Sequence, residues 1–144
     1  MERIADALRQ GGYRATPQRL AVYQALLARE DHPCVEMIYA DLQEAFPTIS
    51  LNTVYNALQV LCDLGLVRKI NIKENQHRYD ANIHPHSHLV CLRCFRIING
   101  PAVTNECPQA DFEGFEAVAC ETYFYGYCKQ CAEKSPCPNN GARG

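Results

Sequence analysis

Apolar positions in the first half of the chain recur at helical spacing, and in the second half they come in short runs broken by glycine, proline and cysteine. Ile4 and Leu8 predict a short first helix, closed by Gly11-Gly12 as a C-terminal cap. Thr16-Pro17 marks the next start, with Thr as N-cap and Pro at the first helical position. Leu20, Tyr23 and Leu26/Leu27 carry that helix to about Arg29. A third helix is predicted from about Val35 to Phe46, with Ile38, Leu42 and Phe46 on one face and Pro47 as the stop. Ser50 caps a fourth, in which Val54, Leu58 and Leu61 point inward. After Gly65, Leu66–Ile72 and Gln76–Asp80 read as two strands about a Lys73-Glu74-Asn75 turn. Helices followed by such a hairpin make a winged helix. Further strand-like runs at His88–Leu92, Phe95–Ile98 and Glu116–Tyr125 suggest a small α/β or mostly β unit. A short helix is expected near Pro101–Cys107, and a mobile tail from about Glu133.

The outward face of the fourth helix is unusual. Asn52, Tyr55, Asn56 and Gln59 are polar and uncharged, where Glu and Lys would serve solubility. Amides can bond adenine edges in a major groove, and Tyr can reach a phosphate or a thymine methyl. Arg14, Arg19, Arg68, Lys69 and Lys73 stand where they can hold phosphates. A solvated helix face and ordinary surface charge account for the same residues.

Charge changes this picture. The net charge of −2 does not advertise nucleic-acid binding, since residues 1–78 hold nine Lys/Arg and nine Asp/Glu, and residues 79–144 five and seven. Any DNA contact must use a local patch and weaken steeply with salt. An apolar fraction of 47% allows a core. No apolar run reaches the roughly 20 residues that span a bilayer. The opening Met-Glu-Arg-Ile-Ala-Asp lacks a basic segment followed by an apolar one, so no secretory signal is expected. Nine cysteines, four of them in Cys-x-x-Cys pairs, then point to bound metal in a reducing cytoplasm.

Cys91/Cys94 and Cys128/Cys131 suit one closed tetrahedral Zn(II), because each pair can aim two sulfurs from a tight turn. Thiol redox pairs and buried cysteines are the competing readings. His86 and His88 would share one face of an extended strand, with Asp80 able to add a carboxylate, which suits a harder, exchangeable ion. On spacing alone His32 is a weak candidate, and His77 and His84 read as surface. Cys34, Cys62, Cys107, Cys120 and Cys137 remain outside the zinc set. Cys62 reads as core, Cys137 as a free thiol in the tail, and Cys34 lies close enough to His32 to approach a metal there.

These residues resemble the ferric uptake regulator family of bacterial metal-dependent repressors. The resemblance runs from about residue 8 to residue 131. It rests on Thr16-Pro17-Gln18-Arg19, His32-Pro33, the segment from Ser50 to Leu58, Gly65-Leu66-Val67 and Arg78-Tyr79-Asp80. It continues through His86-x-His88-x-x-Cys91-x-x-Cys94 and Tyr125-Gly126-Tyr127-Cys128-x-x-Cys131. It implies an α/β fold class: a winged-helix DNA-binding domain over 1–80, a small α/β dimerisation and metal-binding domain over 81–134, and a tail over 135–144. It implies a homodimer on a palindromic double-stranded operator, with Tyr55 on the recognition helix; together with the residues read above, the expected DNA contacts are Arg14, Arg19, Asn52, Thr53, Tyr55, Asn56, Gln59 and Lys69. It implies structural Zn(II) on the four cysteines, and a regulatory Fe(II) or Mn(II) site on His32, Asp80, His86 and His88.

The branch is indicated by Asp80 and by Asn56 after Tyr55, which resemble peroxide-responsive members more than iron-responsive ones. A zinc-responsive member would offer a Cys near position 80. Pro85, Ser87 and Cys120 stand where the extra site of other members would draw ligands. Asn99 departs from the pattern, occupying the place of the last regulatory carboxylate. Either it ligates as a neutral fifth donor, or Glu106, Asp111 or Cys120 substitutes for it. In the peroxide branch, iron-dependent oxidation of His32 or His86 would release the operator. An iron-responsive repressor is the alternative within the family; a thiol redox protein or a metal carrier is the alternative outside it. No nucleophile–base pair or phosphate loop is visible in the chain, so no enzyme is expected.

Overall fold

The computed structural model describes residues 1–73, 76–102, 113–117 and 120–133. The chain forms two compact units, one from Met1 to His84 and one beginning at Pro85.

The first unit opens with α1 (Glu2–Gln10), α2 (Pro17–Leu27), α3 (Val35–Leu42) and α4 (Leu51–Asp63). Two hydroxyl caps set the starts of α2 and α4. Thr16 accepts the Arg19 N–H, and Ser50 accepts the Thr53 N–H. Two glycines set the ends of α1 and α4. Gly12 (φ +82°) and Gly65 (φ +67°) take the left-handed conformation, and the next N–H reaches back: Tyr13 to the Leu8 carbonyl at 2.8 Å, Leu66 to Leu61 at 2.9 Å. Leu8, Val22, Leu26, Ile38, Val54, Leu58 and Leu61 meet in one core, closed from the hairpin side by Val67 and Tyr79.

Several boundaries differ from the sequence expectation. The third helix stops at Leu42 rather than Phe46, and the Phe46 N–H returns to the Leu42 carbonyl at 2.9 Å through a turn. Pro47 disfavours helical geometry at the residue before it, so the final turn does not form. The hairpin strands are β1 (Arg68–Lys73) and β2 (Gln76–Asp80), because the N–H groups of Leu66 and Val67 cap α4 instead of joining a ladder. In the second unit, β3 (His88–Cys91) lies between β4 (Ile97–Asn99), antiparallel to it, and β5 (Tyr123–Gly126), parallel to it. Among the described residues of the long strand expected over Glu116–Tyr125, only Tyr123–Tyr125 belong to β5. Phe95 (φ +58°) belongs to a turn, so its strand starts at Ile97. A helix missing from the expectation, α5 (Lys129–Glu133), follows β5. Pro101 and Ala102 are not helical; the rest of the expected Pro101–Cys107 helix and the tail lie outside the described residues. No helix among the described residues is long and apolar enough to cross a membrane.

Leu58→Ala should destabilise the first unit by about 2–5 kcal/mol, whereas Asn56→Ala on the exposed face of the same helix should cost under about 0.5 kcal/mol; urea titration followed by circular dichroism separates the two. Burial pushes the Cys62 thiol up from 9.0 to about 11 and the Tyr79 hydroxyl from 10.0 to about 12. Both therefore hold their protons in the folded state at pH values where the unfolded chain has lost them. Their stabilising effect is present below pH 9 and fades as pH rises towards 11–12. Melting temperature should fall between about pH 9 and 11, and more steeply in the parent protein than in Cys62→Ala.

Candidate metal centres and nucleic-acid interface

The two cysteine pairs are brought together by strand pairing. β3 ends at Cys91, and the chain turns back at once: the Phe95 N–H bonds the Cys91 carbonyl at 2.9 Å, and the Cys91 N–H bonds the Arg96 carbonyl at 3.0 Å. β5 runs parallel to β3 with Gly126 opposite Cys91, so the second pair emerges at the same end of the sheet. There Cys128 and Cys131 span the start of α5, with the Cys131 N–H on the Cys128 carbonyl at 3.0 Å. All four Sγ atoms lie within 4.8 Å of one another, and Cys94 Sγ stands 3.8 Å from Cys128 Sγ. Sulfurs about 2.3 Å from a tetrahedral zinc ion are about 3.8 Å apart, so the cluster has the dimensions of a closed four-thiolate site.

The electrostatics agree. Backbone N–H groups of Cys128 (3.3 Å) and Cys94 point at the Cys91 sulfur and hold its thiol down to about 5. Cys131, whose proton is shared with the Cys128 sulfur and which is also desolvated, is pushed up to about 12. The first thiolate therefore forms easily and the last does not; a divalent cation removes that penalty. This is a structural Zn(II) site.

In the first unit, His32 lies in the loop between α2 and α3 with a left-handed backbone (φ +49°) and is 3% exposed. The adjoining Pro33 is fully buried, and its carbonyl accepts the Tyr79 N–H at 3.0 Å, tying this loop to β2. The tie sets His32 Nε2 3.4 Å from Asp80 Oδ2. The other Asp80 oxygen accepts the Asn82 N–H at 2.8 Å, which fixes the carboxylate and leaves Oδ2 towards the imidazole. Spacing alone had left His32 weak, because nothing in the sequence reveals the Pro33–Tyr79 bond.

In the second unit, His86 and His88 are both buried, with ring centroids 4.5 Å apart. Only His88 belongs to β3, yet the two rings share one side because the intervening Ser87 faces the other way. Ser87 is fully buried; its hydroxyl donates to the Pro101 carbonyl at 2.9 Å, and its carbonyl accepts the Gly100 N–H at 2.8 Å. Asn99 is exposed and pairs with His88 across the β3–β4 ladder. On the other side His88 pairs with Tyr123, whose ring stacks on the imidazole at 5.6 Å. Sequence reading missed Tyr123; its alternation with Tyr125 in Tyr-Phe-Tyr was the available signal. Of the substitutes considered for Asn99, Cys120 is exposed, while Glu106 and Asp111 lie outside the described residues, as do Cys107 and Cys137. His84 is exposed, and His77 Nδ1 pairs with Asn71 Oδ1 at 2.7 Å.

On α4, Asn52, Tyr55, Asn56 and Gln59 are all exposed, opposite the buried Val54, Leu58 and Leu61. Gln59 Nε2 donates to Asp63 at 2.7 Å. Thr53 is half-buried and its hydroxyl meets that of Ser50 at 2.8 Å, so it shares in the cap. Arg19 donates to the Arg14 carbonyl at 2.8 Å and lies over the Tyr13 ring. Lys69 is exposed on the hairpin, where Arg68 donates to the Ile83 carbonyl at 2.8 Å.

The sequence pattern of the ferric uptake regulator family matches residues 10–125. The chain belongs to that family. Over 137 residues, 93% of each chain, it is 34% identical to the peroxide-responsive repressor PerR of Staphylococcus aureus. The Campylobacter jejuni peroxide stress regulator superposes with a TM-score of 0.66 at 32% identity, covering 81% of this chain and 90% of that one. The Helicobacter pylori ferric uptake regulator superposes at 0.75 and 22% identity, covering 90% and 89%, a likeness of fold. Within the family's frame, Cys94→Ser should abolish zinc binding and lower the melting temperature, as atomic emission and calorimetry on the same preparation would record.

Proposed function

We propose that the protein is a metal-dependent, DNA-binding transcriptional repressor that senses peroxide, acting as a homodimer on a palindromic operator. The observation that carries this reading is the His32–Asp80 pair: two metal-type donor atoms held 3.4 Å apart in the unit that also bears the uncharged reading face of α4. His86 and His88 offer two further imidazoles in the second unit. In this reading His32, Asp80, His86 and His88 hold one Fe(II) or Mn(II), with Asn99 as a neutral fifth donor. Oxygen and imidazole donors suit those ions, and the sulfur cluster suits zinc.

A ligand set drawn from two units binds best in one relative arrangement of them. Occupancy therefore favours the arrangement competent for DNA by the difference in affinity between states. When bound, Fe(II) supplies one-electron reduction of hydrogen peroxide beside the imidazoles. With one peroxide oxygen transferred to a ring carbon and the other leaving as water, His32 or His86 would lose the lone pair that its nitrogen donates, and the preference for the DNA-competent state would go with it. The relatives named peroxide-responsive support this branch, as does the carboxylate at Asp80. On the DNA side, Asn52, Tyr55, Asn56 and Gln59 meet base edges, and Arg14, Arg19, Thr53 and Lys69 hold the backbone.

Fluorescence anisotropy on a palindromic A/T-rich duplex should show Mn(II) raising affinity about 5–150-fold, a usual range for coupled sites. His32→Ala should lose that increase and keep its zinc. With Fe(II), equimolar peroxide should reverse the increase and add one oxygen to a peptide containing His32 or His86. Equal affinity with and without metal would end this reading.

A further inference from the structure

A row of aromatic rings leads away from the histidine pair of the second unit. His86 and His88 lie 4.5 Å apart, His88 and Tyr123 5.6 Å, and Tyr123 and Tyr125 6.3 Å, the last two pairs stacked. These separations fall in the range of about 4.5–7 Å at which aromatic side chains touch. The row follows from the sheet. Parallel pairing sets Tyr123 beside His88 and Tyr125 beside Val90, and the two-residue period of β5 keeps both tyrosines on one face. Exposure rises along the row: the histidines are buried, Tyr123 is half-buried and Tyr125 is 60% exposed. Tyr123 also donates its phenolic O–H to Glu121 Oε2 at 2.8 Å.

A phenol next to an oxidising centre, with a carboxylate already bonded to its proton, has the parts needed for coupled loss of an electron and a proton. We propose that Tyr123, assisted by Glu121, is a one-electron donor to the histidine site, and that Tyr125 passes the oxidising equivalent to the surface. The inference rests on the peroxide reading, which supplies the oxidant: a one-electron species of the hydroxyl-radical class, formed when Fe(II) reduces peroxide. The electron leaves the Tyr123 ring and converts that species to hydroxide. The phenolic proton moves to Glu121, giving a carboxylic acid and a neutral tyrosyl radical. In the second step Tyr125 gives an electron to Tyr123, which recovers its proton from Glu121, while the Tyr125 proton goes to water. The row thus competes with oxygen addition to the imidazoles and sets how much peroxide is needed to inactivate the repressor.

The test uses the full chain, with zinc in place and Fe(II) added anaerobically, mixed with equimolar hydrogen peroxide and frozen. Electron paramagnetic resonance reads tyrosyl radical, and peptide mass spectrometry reads oxygen added to His32 or His86. The parent protein should give both signals. Tyr123→Phe keeps the ring and removes the phenol; it should lose the tyrosyl signal and gain histidine oxidation. Tyr125→Phe should keep a radical confined to Tyr123, and Glu121→Gln should diminish the signal with zinc content unchanged. Histidine oxidation that is the same in parent and Tyr123→Phe, with no tyrosyl signal in either, would overturn the relay and leave peroxide sensing intact. Absence of both histidine oxidation and radical in the parent would overturn the relay and the peroxide reading together.

Discussion

Four sulfurs packed within a few ångströms cannot all ionise unless a cation sits among them, and the second unit is organised around that constraint. Among its described residues the apolar core is slight. Among the described residues the buried apolar side chains of that unit are Val90, Cys91, Ile97 and Cys131, and two of these are zinc ligands. The first unit has no such dependence: its core runs from Leu8 to Tyr79 through four helices and the hairpin, and is of ordinary composition. Zinc therefore does for one unit what leucine, isoleucine and valine do for the other. The parallel register of β3 and β5, anchored where the cysteine pairs meet, in turn sets what stands beside His88.

Much of this was legible in the sequence because local chemistry determines it. Thr16-Pro17 and Ser50 begin helices, Gly12 and Gly65 end them, and Val54, Leu58 and Leu61 face inward, all as side-chain chemistry requires. The cysteine spacing identified a zinc site for the same reason. Features that depend on distant pairing were not legible. The early end of α3 is an exception, a local effect of Pro47 on the residue before it. The short β5 reflects the residues that can ladder against β3, not the strand-like run that precedes them. His32 became a strong candidate through family resemblance, whereas the structural cause is one backbone bond from Pro33 to Tyr79.

The candidate donors differ in how firmly they are held. Asp80 is fixed by its bond to the Asn82 N–H, and the two imidazoles flank a buried serine. Asn99 is exposed at the sheet edge, and its amide lacks the charge of a carboxylate. Imidazole, carboxylate and amide donors of these kinds favour ions that exchange readily, which suits the proposed sensor better than a store.

Gly100 lies close to Ser87. A methyl group there would press on the Ser87 hydroxyl, which is buried against the Pro101 carbonyl, and Ser87 is the hinge between the two imidazoles. One methyl, on a residue that donates nothing to any ion, would have to displace the side chain of the serine that stands between them. A position outside every donor set thus bears on where two of the donors stand.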